Sequence, residues 1–321
     1  MNRKYLLLCT SVSLMFSLSA QAKTNDVHYA CVVGPNGKTA TKISDHVIEK
    51  DAINEIIRKG GYPGPCATYA DRRSLGNGYI QSYAQLLPGN IPHSIGLEFP
   101  ASMLENLPTE PLADGNTCYD LNGDGEYQRD GGECLDNYEI ALDLPKGVTA
   151  STSFNWSLIN WNPQGHPPTG TYTTPHFDFH FYIQKYVDRN LIGTGPCSGL
   201  TSCAVFQKAI KDVPSEFMGW SYQNVQGVEA RMGNHYTDLT SSEFTGSAFT
   251  HTFLYGSYDG HVTYWEPMVT LAFLQTKPNV CKDIKLPQAY EIPGYYPTQY
   301  CITYNAARKK HRISLEGFVK R

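Results

Sequence analysis

Within the segment Pro175-His176-Phe177-Asp178-Phe179-His180-Phe181-Tyr182, residues 176–181 alternate strictly, with histidine or aspartate at even positions and phenylalanine at odd ones. Side chains two apart in a strand share a face, so His176, Asp178 and His180 project to one side and Phe177, Phe179 and Phe181 to the other. Each phenyl ring contributes about 1.5–3 kcal/mol when fully buried, enough together to hold the polar row in a fixed geometry. A rigid His/Asp/His row suits a metal ion. Residues four apart in a strand lie roughly 13 Å apart, so His176 and His180 cannot share one ion. A neighbouring pair, His176 with Asp178 or Asp178 with His180, can do so when other strands supply the remaining ligands at Zn–N distances of about 2.1 Å. The plain alternative is a row of hydrogen-bonded histidines on a half-buried face.

The strongest partner for this strand lies between Phe249 and Phe273. Phe249-Thr250-His251-Thr252-Phe253-Leu254-Tyr255 also alternates, and Asp259-Gly260 is a favoured type I′ hairpin turn. With Tyr258 opposite His261, the expected register sets Phe253 against Glu266 and His251 against Met268, which makes His251 and Glu266 diagonal neighbours on one face. A one-residue change would move them to opposite faces. His235, in Gly233-Asn234-His235-Tyr236, reads as a loop histidine within reach of a sheet site. His166, in Gly165-His166-Pro167-Pro168, sits in a stiff proline loop, with ligand and ordinary hydrogen-bonding roles equally open. The candidate ligand set is therefore some subset of His176, Asp178, His180, His235, His251 and Glu266. Zinc fits a histidine-rich site with a carboxylate, and iron, manganese or copper fit the same residue types.

Around this nucleus the pattern is mostly β. Tyr138 to Leu144, Thr152 to Trp161, Pro175 to Gln184, Ala248 to Gly256 and His261 to Leu274 read as strands, with a closing hairpin of Gln299 to Asn305 and Arg312 to Val319. Ile95 to Phe99 reads as an earlier strand, and Leu200 to Ile210 as a short helix. Ile43, Val47, Ile53, Ile56 and Ile57 recur at helical spacing, with Thr41 or Ser44 as cap and Gly60-Gly61 as stop, so a helix docked on a sheet is expected there. The fold class is α+β, predominantly antiparallel β: a sandwich or barrel with a helical N-terminal subdomain. The change in composition divides the chain into an N-terminal α+β region, 23–137, and a β-rich metal-binding region, 138–321.

Arg3 and Lys4, an apolar run from Tyr5 to Ser19, and Ala20-Gln21-Ala22 together read as a signal peptide over residues 1–22. The expected product is exported, periplasmic or extracellular. No later run approaches the ~20 apolar residues of a membrane span. Without Cys9, eight cysteines remain, an even number that reads as disulfides in an oxidising compartment. Sequence proximity favours Cys118–Cys134, Cys197–Cys203 and Cys281–Cys301, leaving Cys31–Cys66. The formal charge of −4 argues against nucleic acid, and the one strong basic cluster, Arg308 to Arg312, reads as a solvated hairpin edge. Charged residues are only 17% while 22 residues are tyrosine, a composition that suits sheets and is compatible with a small-molecule or carbohydrate ligand.

Asp120-Leu121-Asn122-Gly123-Asp124-Gly125-Glu126 begins like a calcium loop, with oxygen donors at positions 1, 3 and 5 and glycine at 6. The candidate Ca²⁺ ligands over 120–131 are Asp120, Asn122, Asp124, Glu126 and Asp130. Gly131 stands at position 12, where an acid is usual, so Asp130, Glu133 or Asp136 would have to replace it, and a simple polar turn is the competing reading. H-E-x-x-H, G-x-S-x-G, Walker and dinucleotide motifs are all missing from the sequence.

The order Trp161-Asn162-Pro163, Gly165-His166-Pro167-Pro168, Pro175 to Tyr182, Gly233-Asn234-His235, Phe249-Thr250-His251-Thr252, Gly256-Ser257-Tyr258-Asp259-Gly260 and Glu266-Pro267-Met268 resembles an exported bacterial family known mainly as a domain of unknown function. The resemblance spans roughly residues 90–275, and the insertion near 114–137 departs from its pattern. It implies a β-rich domain with histidine-based metal binding and a homo-oligomeric assembly, without a reaction. Three functional readings follow. The protein is a metal-binding protein with a structural or ligand-binding role, a metal-dependent hydrolase or oxygen-dependent enzyme using the same site, or a carbohydrate-binding module with structural metals.

Overall fold

A computed structural model describes residues 28–44, 48–110, 118–128, 133–135, 137–198 and 200–321. The expected leader and Asp130 of the calcium loop lie outside them. The described chain opens with β1 (His28–Val33) and β2 (Thr39–Ser44), then helix α1 (Lys50–Arg58) and the two-residue β3 (Tyr62–Pro63). A meander of β4 (Thr68–Leu75), β5 (Gly78–Leu87) and β6 (Ile91–Pro100) follows. Next come β7 (Tyr138–Asp143), β8 (Trp156–Asn162) and β9 (His176–Tyr182), then α2 (Tyr186–Arg189), β10 (Thr194–Ser198) and α3 (Cys203–Ala209). A second meander holds β11 (Tyr222–Glu229), β12 (Gly233–Asp238), β13 (His251–Tyr258) and β14 (His261–Thr270), capped by α4 (Leu271–Gln275). The chain closes with β15 (Val280–Asp283), β16 (Tyr295–Tyr296), β17 (Gln299–Asn305), β18 (Lys310–Glu316) and β19 (Val319–Lys320).

Two open antiparallel sheets carry the fold, as a sandwich and not a closed barrel. The seven-stranded sheet has the order β11-β12-β13-β14-β9-β8-β7, and the six-stranded sheet has the order β15-β17-β18-β6-β5-β4. The second sheet joins strands from before residue 137 to strands from the C-terminal end, and one hydrophobic core draws on both. Phe177, Phe179 and Phe181 enter that core as their odd numbers require, with Phe179 stacked 6.4 Å from Phe99 of β6. Phe253, Tyr255 and Trp265 continue it across the same sheet. The four disulfides join Cys31 to Cys66, Cys118 to Cys134, Cys197 to Cys203 and Cys281 to Cys301.

The expected N-terminal helix is shorter than its periodicity suggests. Ile43, Thr41 and Ser44 belong to β2, paired with β1 from His28↔Ser44 to Val33↔Thr39, and Val47 lies outside the described residues. The β-branched Thr39, Thr41 and Ile43 suit a pleated pair better than a first helical turn. The small β2-β1-β3 sheet lies beside the six-stranded sheet, and Asn305 Nδ2 of β17 donates to the Gly61 carbonyl at 3.0 Å.

In most sandwiches the outer face of a sheet meets water, yet all seven residues of β8 and all seven of β9 are buried. Tyr172 and Phe249 pack onto the outer-face residues Leu254 and Met268. Tyr119 and Leu135 of the insertion form a further cluster with Ala230 beyond β11. The chain thus roofs its own seven-stranded sheet and leaves a cavity of about 710 Å³ underneath.

Candidate metal centre

The polar row of β9 lies under this roof. Register sets Leu158 opposite His180, Asn160 opposite Asp178 and Asn162 opposite His176 on one side, and Tyr264 opposite Tyr182 and Met268 opposite Asp178 on the other. Counting inward from those last two pairs brings Glu266 level with His180. His235 is on β12, a strand and not the expected loop, directly across from Gly256 of β13. An added Cβ at Gly256 would lie 2.1 Å from the Tyr264 ring, so only glycine lets that ring lie over the strand. Tyr264 then meets both imidazoles edge-on, 4.9 Å from His180 and 5.6 Å from His235.

The result is two groups, each of two histidines and one carboxylate. His166, His176 and Asp178 converge in the first, and His180, His235 and Glu266 in the second, with ligand atoms within 4.8 Å of one another in each. In the first group His176 Nε2 stands 3.1 Å from Asp178 Oδ1, and His166 Nε2 stands 3.6 Å from Asp178 Oδ2. In the second, His180 Nε2 is 3.5 Å and His235 Nε2 is 3.7 Å from the Glu266 oxygens. Ligands around a tetrahedral zinc at about 2.05 Å are themselves about 3.3 Å apart, close to these separations.

All four rings are oriented alike. Nδ1 of His166 faces the Pro167 carbonyl at 2.7 Å, that of His176 the Thr174 carbonyl at 2.6 Å, that of His180 the Leu158 carbonyl at 3.2 Å and that of His235 the Gly227 carbonyl at 2.7 Å. A carbonyl can only accept, so each Nδ1 carries the proton and each Nε2 is turned toward its carboxylate. This is the outer hydrogen bond that fixes the tautomer of a metal-ligating histidine. Asn162 Nδ2 donates to Asp178 Oδ2 at 2.7 Å and fixes that carboxylate in the same way. His176 Nε2, Asp178 Oδ1, His180 Nε2 and Glu266 Oε2 are buried and, apart from the facing contacts within each group, have no hydrogen-bond partner among the described residues. Leaving such groups unpaired costs about 1–3 kcal/mol each, more when charged.

Electrostatics separate the two groups. Burial pushes His180 down to about 3 and His235 down to about 4. Burial, with the charge of Asp178 nearby, raises the Glu266 carboxyl well above the usual carboxylate range. In the metal-free second group burial thus favours neutral imidazoles and opposes ionisation of the acid. In the first group burial also opposes the charged carboxylate, but contacts with His176 and His166 outweigh it and hold Asp178 well below its ordinary value. The His166 imidazole, opposed by its own burial, is raised by its contact with Asp178.

His251 does not join either group. The Asp259-Gly260 turn forms with positive φ at both residues and Tyr258 opposite His261, as the sequence implies. A bulge then intervenes, because Ser257 pairs with Val262 while Gly256 pairs with Tyr264. The extra residue, Thr263, turns its carbonyl to accept from both Ile183 N at 2.7 Å and Gln184 N at 3.0 Å. Beyond the bulge Leu254, and not Phe253, opposes Glu266, and His251 opposes Val269. His251 thus faces the core, where its Nδ1 lies 2.8 Å from the Tyr300 hydroxyl.

The cavity is lined by His166, Asp178 and His235 among largely apolar walls that include Leu135, Leu200, Val225, Met232 and Phe244. Glu229 also lines it, with Oε2 unpartnered and its carboxyl raised by burial to about 7. Neither Glu229 nor the division into two groups is evident from the sequence, since β11 carries no alternating apolar pattern. A third convergence, Cys281, Cys301 and Glu316, offers no thiolate because its sulfurs form a disulfide.

In the calcium-like loop, both Asp120 oxygens accept backbone N–H groups, from Gly123 at 2.6 Å and Gly125 at 2.9 Å. Glu133 is buried and accepts from Leu121, Asn122 and Gln128 N–H. Asn122 Nδ2 donates to Asp124 Oδ2 at 3.1 Å, and Glu126 N to Asp124 Oδ1 at 2.9 Å. These bonds shape residues 120–128 as a hydrogen-bonded turn.

Comparison of the chain with models of known protein families, with curated proteins and with solved structures finds no match.

Proposed function

We propose that this is an exported, disulfide-bonded protein that binds two transition-metal ions, one at His166/His176/Asp178 and one at His180/His235/Glu266, and presents them to a small-molecule cavity. One observation carries this reading: four imidazoles, two buried and two half-buried, each commit Nδ1–H to a backbone carbonyl and direct Nε2 at a carboxylate, while among the described residues the buried ligand atoms of each group face only one another. Two nitrogens and one oxygen suit zinc, with iron or manganese next by donor type. A cation in the second site would favour the ionised form of Glu266 that burial opposes. Four disulfides and the expected leader support residence in an oxidising compartment.

A second reading, a metal-dependent enzyme, is favoured by the ligand count. Three protein ligands leave a position for water or substrate, the arrangement of catalytic zinc sites and of two-histidine, one-carboxylate iron oxygenases. The cavity volume falls in the usual range for small-molecule sites.

Metal analysis of the purified protein tests the proposal. Two equivalents of transition metal per chain are expected. His180→Ala should lose one, His176→Ala the other, and the double variant both. Protein that takes up no metal after incubation with zinc, or single variants that both lose the same one ion, would overturn it.

A further inference from the structure

The basic cluster that reads in sequence as a solvated hairpin edge is half-buried at Arg308, Lys310 and Arg312. Outside the seven-stranded sheet and its cavity, the outer face of the six-stranded sheet carries a second cavity of about 300 Å³, roofed by Tyr62 and the adjoining N-terminal segment. Arg308, Lys310 and Arg312 line it around a single buried carboxylate, Glu98. Lys310 Nζ stands 2.6 Å from Glu98 Oε1, Arg312 Nη2 2.7 Å from Oε2, and Arg308 Nη2 3.7 Å from Oε1. Tyr69 OH donates to the same carboxylate at 3.1 Å. Arg312 is held between two aromatic rings, 3.9 Å from the centre of Tyr62 and 4.4 Å from that of Tyr83.

Charge does not balance here. The lining holds three cations and two carboxylates: Glu98 is already fully engaged, and Glu316 is turned onto the Ser314 hydroxyl at 2.7 Å, which leaves one positive charge in excess. Among the described residues the Arg308 guanidinium makes no hydrogen bond, only its 3.7 Å approach to Glu98 and a place over the Tyr62 ring. A surplus of positive charge withdrawn from water is costly unless an anion meets it. Guanidinium and ammonium donors converging in a concave, tyrosine-walled space are the chemistry that recognises oxyanions. We infer that the cleft between Tyr62 and the Arg308/Lys310/Arg312 cluster binds the oxyanion group of a small ligand, whether carboxylate, sulfate or phosphate.

The inference is independent of the metal sites and is tested without them. Titrations of the full chain with sodium phosphate, sodium sulfate and sodium glucuronate, at constant ionic strength and followed by calorimetry, distinguish the three sources of the group. Saturable one-to-one binding of at least one is expected. Arg308→Gln removes one charge-assisted partner and should weaken that binding about tenfold. Glu98→Gln removes the internal competitor and should strengthen it by a similar factor. The two variants thus move affinity in opposite directions, which general salt stabilisation of the fold would not do. The absence of saturable binding to all three anions at millimolar concentration, or an affinity unchanged in Arg308→Gln, would overturn the assignment. If Glu98→Gln fails to fold, Arg308→Gln, which alters a more exposed side chain, still decides.

Discussion

His311 titrates in the core, away from either metal group. Its ring stacks 5.3 Å from Phe99 and lies 4.7 Å from Tyr304, and it is 1% exposed. Burial, helped by the charge of Lys277, pushes its pKa down to about 4. The unfolded chain binds this proton near the ordinary value of about 6.5, so between those two values the unfolded state holds more protons and stability falls as the pH falls. Above both values the group is neutral in either state and costs nothing. The loss reaches up to about 3 kcal/mol once both states are protonated, at 1.36 kcal/mol per pKa unit. Denaturant unfolding from pH 7 to pH 4 should therefore show a flatter acid limb for His311→Phe than for the parent. Identical limbs would mean that His311 is hydrated in the folded protein.

At the level of elements, β9 separates packing from chemistry by parity. Phe179→Ala opens a space between the sheets and should cost about 3–5 kcal/mol in urea unfolding. His180→Ala, on the opposite face, should change metal content far more than stability of the metal-free chain. Near-equal unfolding losses in the two metal-free variants would contradict this division. The division was legible in the sequence because strand side chains alternate without exception over seven residues. The register of β13 against β14 was not. Both strands alternate cleanly on either side of Thr263, and only the hydrogen bonds it accepts from Ile183 and Gln184 reveal that one residue is left over. That single residue takes His251 to the core and leaves Glu266 to His180 and His235. His166 was legible as a candidate but not in its company, since the fold of a proline loop over a sheet is a tertiary fact. The helical period of Ile43 to Ile57 likewise misled where β2 has a partner strand to pair with and a helix would have had none.

Across the whole molecule, two sheets share one core, and segments of the chain cover part of each outer face. The coverings differ in depth over the two metal groups. The most exposed side chain of the first group, His166 on the segment joining β8 to β9, is 33% exposed, whereas that of the second, His235, is 16% exposed and His180 and Glu266 are 1% and 2%. Ions in the two groups would therefore face different barriers to leaving. Chelator added to the metal-loaded protein should extract metal in two phases, and His176→Ala should abolish the faster one. A single phase accounting for both ions would show that one common opening governs both.

The roof over the seven-stranded sheet also imposes an order in time. A group walled by β9, β14 and Tyr264 on one side and by the cavity lining on the other is formed only when the second meander has paired, through β14, with β9. An ion in the deeper group would have to arrive either before that pairing or through a later loosening of the covering segments. Which metal the protein carries would then record what was present where the chain folded, as well as which ion the ligands bind most tightly.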